Sequence, residues 1–173
     1  MSEEPGFLIG APLSILFHRL QRQVLDGLAA AGFGDLSTAY LPVFQLLGPD
    51  GGRVSDLARK AGTTKQAMSY LVAYLERRGY VERRPDPSDR RAQLVVRTAR
   101  GWEVSRIARE VVLETQSEWA RLLGAEAMAD LLGGLRALVG RLGHEFSGSA
   151  ADPAVVAAYS VPHNRSPISG ERH

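Results

Sequence analysis

Residues 54–98 read VSDLARKAGTTKQAMSYLVAYLERRGYVERRPDPSDRRAQLVVRT, and the order of elements in this stretch decides the fold. Ser55 stands where an N-cap would open a helix of about two turns, with Asp56 facing the positive end of the helix dipole. Val54, Leu57, Ala58 and Ala61 are its inward positions, and Gly62 breaks it. A second helix begins almost at once. Thr63-x-x-Gln66 fits a capping box, and Thr64 fits a simple cap equally well. Met68, Leu71, Val72 and Leu75 recur at i, i+3, i+4 and i+7, which gives this helix one buried stripe. The same geometry turns Thr64, Lys65, Gln66, Ser69, Tyr70, Ala73 and Tyr74 toward solvent. Gly79 follows Arg77 and Arg78, where a left-handed C-terminal cap is needed.

Two short helices joined by a glycine-containing turn form a helix-turn-helix pattern. The major groove of DNA admits one helix, and Lys, Gln, Ser and Thr near its N-terminus pair with base edges or phosphates. An ordinary polar helical hairpin satisfies the same pattern, so the next segment matters. Tyr80–Arg84 and Ala92–Arg97 have strand-like alternation around a turn at Pro85-Asp86-Pro87-Ser88-Asp89. A hairpin directly after the second helix makes a winged helix. Its tip carries Asp86, Asp89, Arg90 and Arg91, with Arg83 and Arg84 on the rising strand. An arginine entering a narrow minor groove must be held extended, and a carboxylate two residues away can hold it.

Upstream, residues 12–31 read as a helix, with Pro12 suited to its first position and Leu13, Leu16, Phe17, Leu20, Val24 and Leu28 on one stripe. Gly32 and Gly34 end it. It is long and apolar for so small a protein, which suggests burial against a second subunit. Residues 36–47 give a shorter helix in which Pro42 requires either a start near Leu41 or a kink. Gly48-Pro49-Asp50-Gly51-Gly52 is a turn cluster. Downstream, Thr98 caps a helix over 99–123 with Val104, Ile107, Val111 and Leu122 inward, and Gly124 breaks it. A last helix over 126–142 carries Met128, Leu132, Leu135, Val139 and Leu142 as a heptad-like seam, suited to pairing across a two-fold axis, to packing on the first helix, or to both. From Ser147 onward Ser, Gly, Pro, Asn and His replace this periodicity, so 147–173 reads as a mobile tail. The expected organisation is helical frame 8–48, winged helix-turn-helix 49–100, C-terminal helices 101–146 and tail.

The formal net charge of +2 conceals an asymmetry. Residues 53–110 hold 14 Lys/Arg against 7 Asp/Glu, whereas 1–52 hold 2 against 5 and 111–173 hold 5 against 7. A basic centre between acidic ends favours a polyanion docking there, although a solvated basic face would look the same by charge alone. With no cysteine, disulfides, thiolate metal sites and thiol-based sensing are excluded. His18, His144, His163 and His173 are scattered, and no Ser/His/Asp grouping, His-x-x-x-His pair or phosphate loop appears, so no enzyme, metal or cofactor is expected. The acidic Met-Ser-Glu-Glu start and the lack of a membrane-length apolar run lead us to expect a soluble, cytoplasmic protein with no membrane partner.

The run GTTKQAMSYLVAYLERRGYVERRPDPSDRRAQLVVRTARG resembles the DNA-binding core of MarR-type transcriptional regulators. Its most specific pieces are LERRGYVER, the wing DPSDRRA and Thr98-x-x-Gly101. The resemblance implies a mainly α fold of about six helices with a two- or three-stranded β-wing. It implies a homodimer whose body is built from the N- and C-terminal helices, and a ligand-responsive repressor on a pseudo-palindromic double-stranded DNA operator. Thr64, Lys65, Gln66, Ser69, Tyr70, Arg83, Arg84, Asp89, Arg90 and Arg91 become the DNA-binding candidates. Within them the resemblance makes Arg91 the minor-groove contact and Asp89 its orienting partner. It further implies a small aromatic or anionic effector between body and winged helix, where Phe17, His18, Tyr40, Phe44 and Trp102 are the candidates. Arg97 departs from the leucine usual before Thr-x-x-Gly and puts the packing of that strand end in question. The competing reading is a dimeric winged-helix module that binds protein, against which the local basic charge speaks.

Overall fold

The computed structural model describes residues 8–145; the expected tail at 147–173 lies outside the described residues. The described chain runs α1 (Gly10–Ala30), α2 (Leu41–Leu46), α3 (Val54–Lys60), α4 (Lys65–Arg77), β1 (Val81–Asp86), β2 (Asp89–Arg97), α5 (Ala99–Leu123) and α6 (Ala125–Glu145). It is mainly helical with one antiparallel hairpin, as the sequence implies.

α1 starts two residues before Pro12, which sits in the first turn where its missing N–H has no intrahelical acceptor to lose. α2 takes the first of the two alternatives. Its helix begins at Leu41, so Pro42 falls at the second position and no kink is needed. Two cap assignments resolve differently. Ser55 is not the cap of α3: Arg53 occupies that position without a side-chain cap bond, and Ser55 is already inside the helix. For α4 the cap is Thr64, whose Oγ1 accepts from the Ala67 amide at 3.1 Å. Gly79 then takes φ +73° after Arg78, the left-handed turn that ends the helix.

The hairpin is longer than its composition suggests. Val81 pairs with Arg97 and Arg84 with Leu94, and the register shifts after Pro85 so that Asp86 faces Asp89. The turn thus shrinks to Pro87-Ser88. Pro85 is tolerated because β1 is an edge strand. On its other side β2 is bridged by Gly52 through Val95, with amide–carbonyl bonds of 3.0 and 2.9 Å.

A single core runs from Val24 and Leu28 through Val43, Leu57, Met68, Val72 and Leu75 to Tyr80, Val95 and Val104. It crosses the expected boundaries at 48 and 100, so frame and winged helix share their interior. α1 lies along α5, close enough that a Cβ on Gly27 would press on Val111. Leu122 corrects an expectation: it is 86% exposed, because the last turn of α5 projects past the elements that cover the rest of the helix. Of the α6 seam only Met128 is buried; Leu132, Leu135 and Val139 are half-buried and Leu142 is exposed. No helix among the described residues is long and apolar enough to cross a membrane.

Arg97 ends β2 by turning its guanidinium inward. It donates to the carbonyls of Phe44, Leu47 (2.7 Å) and Gly48 (3.1 Å) at the end of α2. Its Cζ also lies 4.6 Å from the centroid of Trp102. Where an apolar residue would only fill space, this arginine bonds three carbonyls, of which that of Gly48 also accepts from the Gly51 amide. The strand end is therefore packed, by a cation in place of a hydrophobe.

The Thr98-x-x-Gly101 sequence has a steric cause. Thr98 Oγ1 accepts from the Gly101 amide at 3.2 Å and donates to the Gly79 carbonyl at 2.6 Å. This draws Gly101 so close to the Tyr80 carbonyl that any Cβ would overlap it. Gly101→Ala is expected to destabilise the protein by about 1–3 kcal/mol, the usual cost of overpacking a filled site. Urea unfolding checks this, and an unchanged midpoint would mean that the junction gives way freely.

Candidate nucleic-acid interface

α4 offers one face to solvent. Thr64, Lys65, Gln66 and Tyr70 are exposed, Ser69 is half-buried, and Met68, Val72 and Leu75 are sealed in the core. Tyr74 does not belong to the open face as expected. It is half-buried, its ring stacks on Tyr40 at 4.3 Å with planes 8° apart, and its hydroxyl donates to the Asp35 carbonyl at 3.1 Å. The exposed polar set is thereby concentrated in the first two turns of α4, where the helix dipole also favours an anion.

The wing arginines divide by their partners. Arg83 bonds Glu76 of α4 through Nε at 3.1 Å, which fixes the hairpin against the helix. Arg84 pairs with Glu82 on its own strand, at 2.8 Å through Nε and 2.5 Å through Nη2. Arg90 lies in β2, but its side chain is outside the described residues. Arg91 is exposed, and its guanidinium makes no ion pair among the described residues. Asp89 does hold Arg91, but through the backbone: its Oδ1 accepts the Arg91 amide at 3.0 Å. A carboxylate that fixes the main chain shapes the turn and leaves the guanidinium open, which differs from the expected clamp on the side chain.

The anchor of the wing is Asp86, which sequence reasoning placed at the tip without a role. It is 5% exposed. Its Oδ1 accepts from the Ser88 amide (2.8 Å) and hydroxyl (2.7 Å), and its Oδ2 accepts from Arg53 Nε (2.8 Å) and Nη2 (2.6 Å). Arg53 precedes α3, so this two-pronged pair ties the wing to the start of the helix-turn-helix. Asp89 Oδ2 stands 3.7 Å from the same guanidinium. The Ser88 bonds, with Arg53, hold the Asp86 carboxyl down at about 2. The Asp-x-Ser spacing is an Asx-turn signal that could have revealed the local half of this site. Arg53, 33 residues away, leaves no such signal.

The five effector candidates are not brought into one site within the described chain. Phe44 is core, set edge-on to Tyr80 with centroids 6.0 Å apart. Tyr40 belongs to the Tyr74 stack, and burial raises its phenol pKa. Phe17 and His18 are exposed on the first half of α1, with His18 Nδ1 bonded to Ser14. Trp102 is 44% exposed beside Arg97. Burial lowers the Arg97 pKa to about 10, which leaves it charged at neutral pH.

Comparison with known proteins agrees with this geometry. Residues 35–92 match the model of the MarR family. No curated protein matches the chain. Among solved structures, a transcriptional regulator from Thermotoga maritima is 28% identical, with 79% of this chain and 98% of that one aligned and a TM-score of 0.51. A MarR-family protein of Mycobacterium tuberculosis, solved with salicylic acid, is 26% identical over 78% of this chain and 98% of its own, with a TM-score of 0.59. The transcriptional repressor CouR, from Rhodococcus jostii and solved on a 23-mer DNA duplex, is 25% identical over 80% of this chain and 99% of its own, with a TM-score of 0.60.

The Asp86 site has a testable pH signature. Because its folded pKa lies at about 2, below the ordinary 3.8, its contribution to stability is fully present above that ordinary value. It is lost as pH falls from there through about 2. The stability difference between wild type and Asp86→Asn should therefore be level above about pH 4 and shrink below it. A difference that stays constant into strong acid would remove the Arg53–Asp86 pair as its source.

Proposed function

We propose, from the match of residues 35–92 to the MarR family model and from the winged helix these residues begin, that the protein is a sequence-specific, double-stranded DNA-binding transcriptional regulator. It acts as a cytoplasmic homodimer on a pseudo-palindromic operator and represses until an effector binds. The observation that carries this reading is the pairing of two exposed features on one rigid unit. The first turns of α4 present Thr64, Lys65, Gln66 and Tyr70, and the wing presents Arg91 with its guanidinium unpaired. A helix of this kind fits the major groove, and an extended arginine beside it suits the adjacent minor groove. Arg83 and Arg84, engaged by Glu76 and Glu82, take supporting places and remain near enough to attract phosphate.

The homodimer is supported by what the single chain leaves open. Leu8 (81%), Ile9, Ile15 (67%) and Phe17 on or beside the first half of α1, with Leu122, Leu131 and Leu138 on the C-terminal helices, are exposed. Apolar surface of this extent marks an association site. For the effector, Trp102 is 44% exposed and has the Arg97 cation beside its ring, which suits a small aromatic anion. Salicylic acid in the mycobacterial relative is a compound of that class.

Arg91→Ala should weaken binding to a selected operator by about 1–3 kcal/mol, roughly five- to a hundredfold, at fixed salt. Equal affinity of wild type and variant would refute the assignment of the wing. Ile15→Glu should convert a dimer to monomers in sedimentation at micromolar concentration, since it places a charge within the contact. Unchanged sedimentation would exclude this half of α1 from the interface.

A further inference from the structure

The α1–α2 loop carries a joint that neither the helix-turn-helix nor the wing requires. Asp35 gathers three elements there. Its Oδ1 accepts from the Tyr80 hydroxyl at 2.6 Å, and its Oδ2 accepts from Arg78 Nη1 at 3.1 Å. Its backbone carbonyl accepts from the Tyr74 hydroxyl at 3.1 Å. Arg100, in the first turn of α5, donates to the same Tyr80 hydroxyl at 3.1 Å and lies over the Phe33 and Tyr80 rings. Tyr74 and Arg78 are at the C-terminal end of α4, Tyr80 leads into β1, and Phe33 precedes Asp35 in the loop. One residue, through its carboxylate and its backbone carbonyl, thus fastens the far end of the reading helix to the loop that follows α1.

We propose that Asp35 is a positioning residue that sets the spacing between the two DNA half-sites the dimer accepts. This rests on the reading of a paired DNA reader given above. The argument is one of leverage. Lys65 and Gln66 lie about twelve residues from Arg78, or about 18 Å along the helix at 1.5 Å per residue. A tilt of about 10° at the Asp35 end therefore moves the N-terminal end of α4 by about 3 Å, close to the roughly 3.4 Å rise of one base pair. Contacts along the buried stripe of α4 keep the helix in its domain. The Asp35 bonds resist the tilt, because they act at its end and on three different donors. Both carboxylate oxygens are engaged. An amide at this position would turn a donor toward either Tyr80 or Arg78, while an aliphatic side chain would leave the Tyr80 hydroxyl without its acceptor.

The test uses the full chain and a series of duplexes carrying two copies of its selected half-site, with the separation changed one base pair at a time. Affinities are measured by fluorescence anisotropy at fixed salt, for wild type, Asp35→Asn and Tyr74→Phe. Tyr74→Phe keeps the ring stacked on Tyr40 and removes only the bond to the Asp35 carbonyl. It serves as the second variant should Asp35→Asn fail to fold in a thermal scan. Wild type should prefer one separation. In the variants that preference over separations one base pair longer or shorter should fall about three- to tenfold, the worth of a lost hydrogen bond, while affinity for an isolated half-site stays within about twofold. If wild type prefers one separation and a folded variant keeps the same preference, the inference is overturned and the regulator reading stands. If wild type shows no preferred separation, the paired-reader reading fails and takes this inference with it.

Discussion

The carbonyl oxygen of Tyr80 holds the reading unit and the helical body at a fixed distance. It accepts from the Thr98 amide at 3.1 Å, and it lies so close to Gly101 that a Cβ there would overlap it. The side chain of the same residue is fully buried, between the rings of Phe33 and Phe44. Burial is the main cause that raises its phenol pKa, so its hydroxyl remains a donor to Asp35 across the physiological range. One residue therefore touches the α1–α2 loop, α2 and α5 at once, and a change in any of these is felt at the start of the wing.

What could be read from the sequence follows the range of the interactions. The α4 stripe, the Gly79 turn and the Thr98 cap are set by neighbours within four residues, and all of them stand where the spacing puts them. The α2 start at Leu41 was legible only as one of two alternatives, since proline acts on its own turn but a kink would relieve it equally. The wing was legible in kind but not in mechanism. Its two local signals, Asp-Pro-Ser and Asp-Arg-Arg, look alike in sequence. Only the fold shows that Asp86 is buried against Arg53 while Asp89 holds a backbone amide. Arg97 is the clearest case of a nonlocal cause: its acceptors lie about fifty residues back. Leu122 failed in the opposite way. Its periodicity is that of a buried position, but periodicity names a face of a helix and says nothing of how far the neighbours extend.

Charge in the centre of the chain is also redistributed by folding. The excess of arginine over residues 53–110 suggests a uniformly basic patch, yet several of these side chains have internal carboxylate partners. Arg53 is held by Asp86, Arg78 by Asp35, Arg83 by Glu76 and Arg106 by Glu103 and Glu110. Apart from the Arg53–Asp86 pair, whose carboxylate is buried, these are exposed or half-exposed pairs, which contribute little to stability. Their larger effect is to fix where these guanidinium groups are, while Lys65 in the first turn of α4 and Arg91 on the wing stay exposed without a carboxylate partner among the described residues. A general counter-ion surface becomes a directed one.

α1 divides the same way along its length. Its second half, with Val24 and Leu28 buried and Gly27 against Val111, is bound into the core of its own chain. Its first half, from Leu13 to Phe17, has comparable apolar content and is largely open. Since the helix is one continuous rod, whatever covers the first half inherits the orientation of the second, and through α5 and the Tyr80 junction that of the winged helix. If a second copy covers it, burial of that apolar stripe favours the folded chain as well as the pair. Stability and reader spacing then depend on the same contact, and an effector that shifts α1 against α5 alters both.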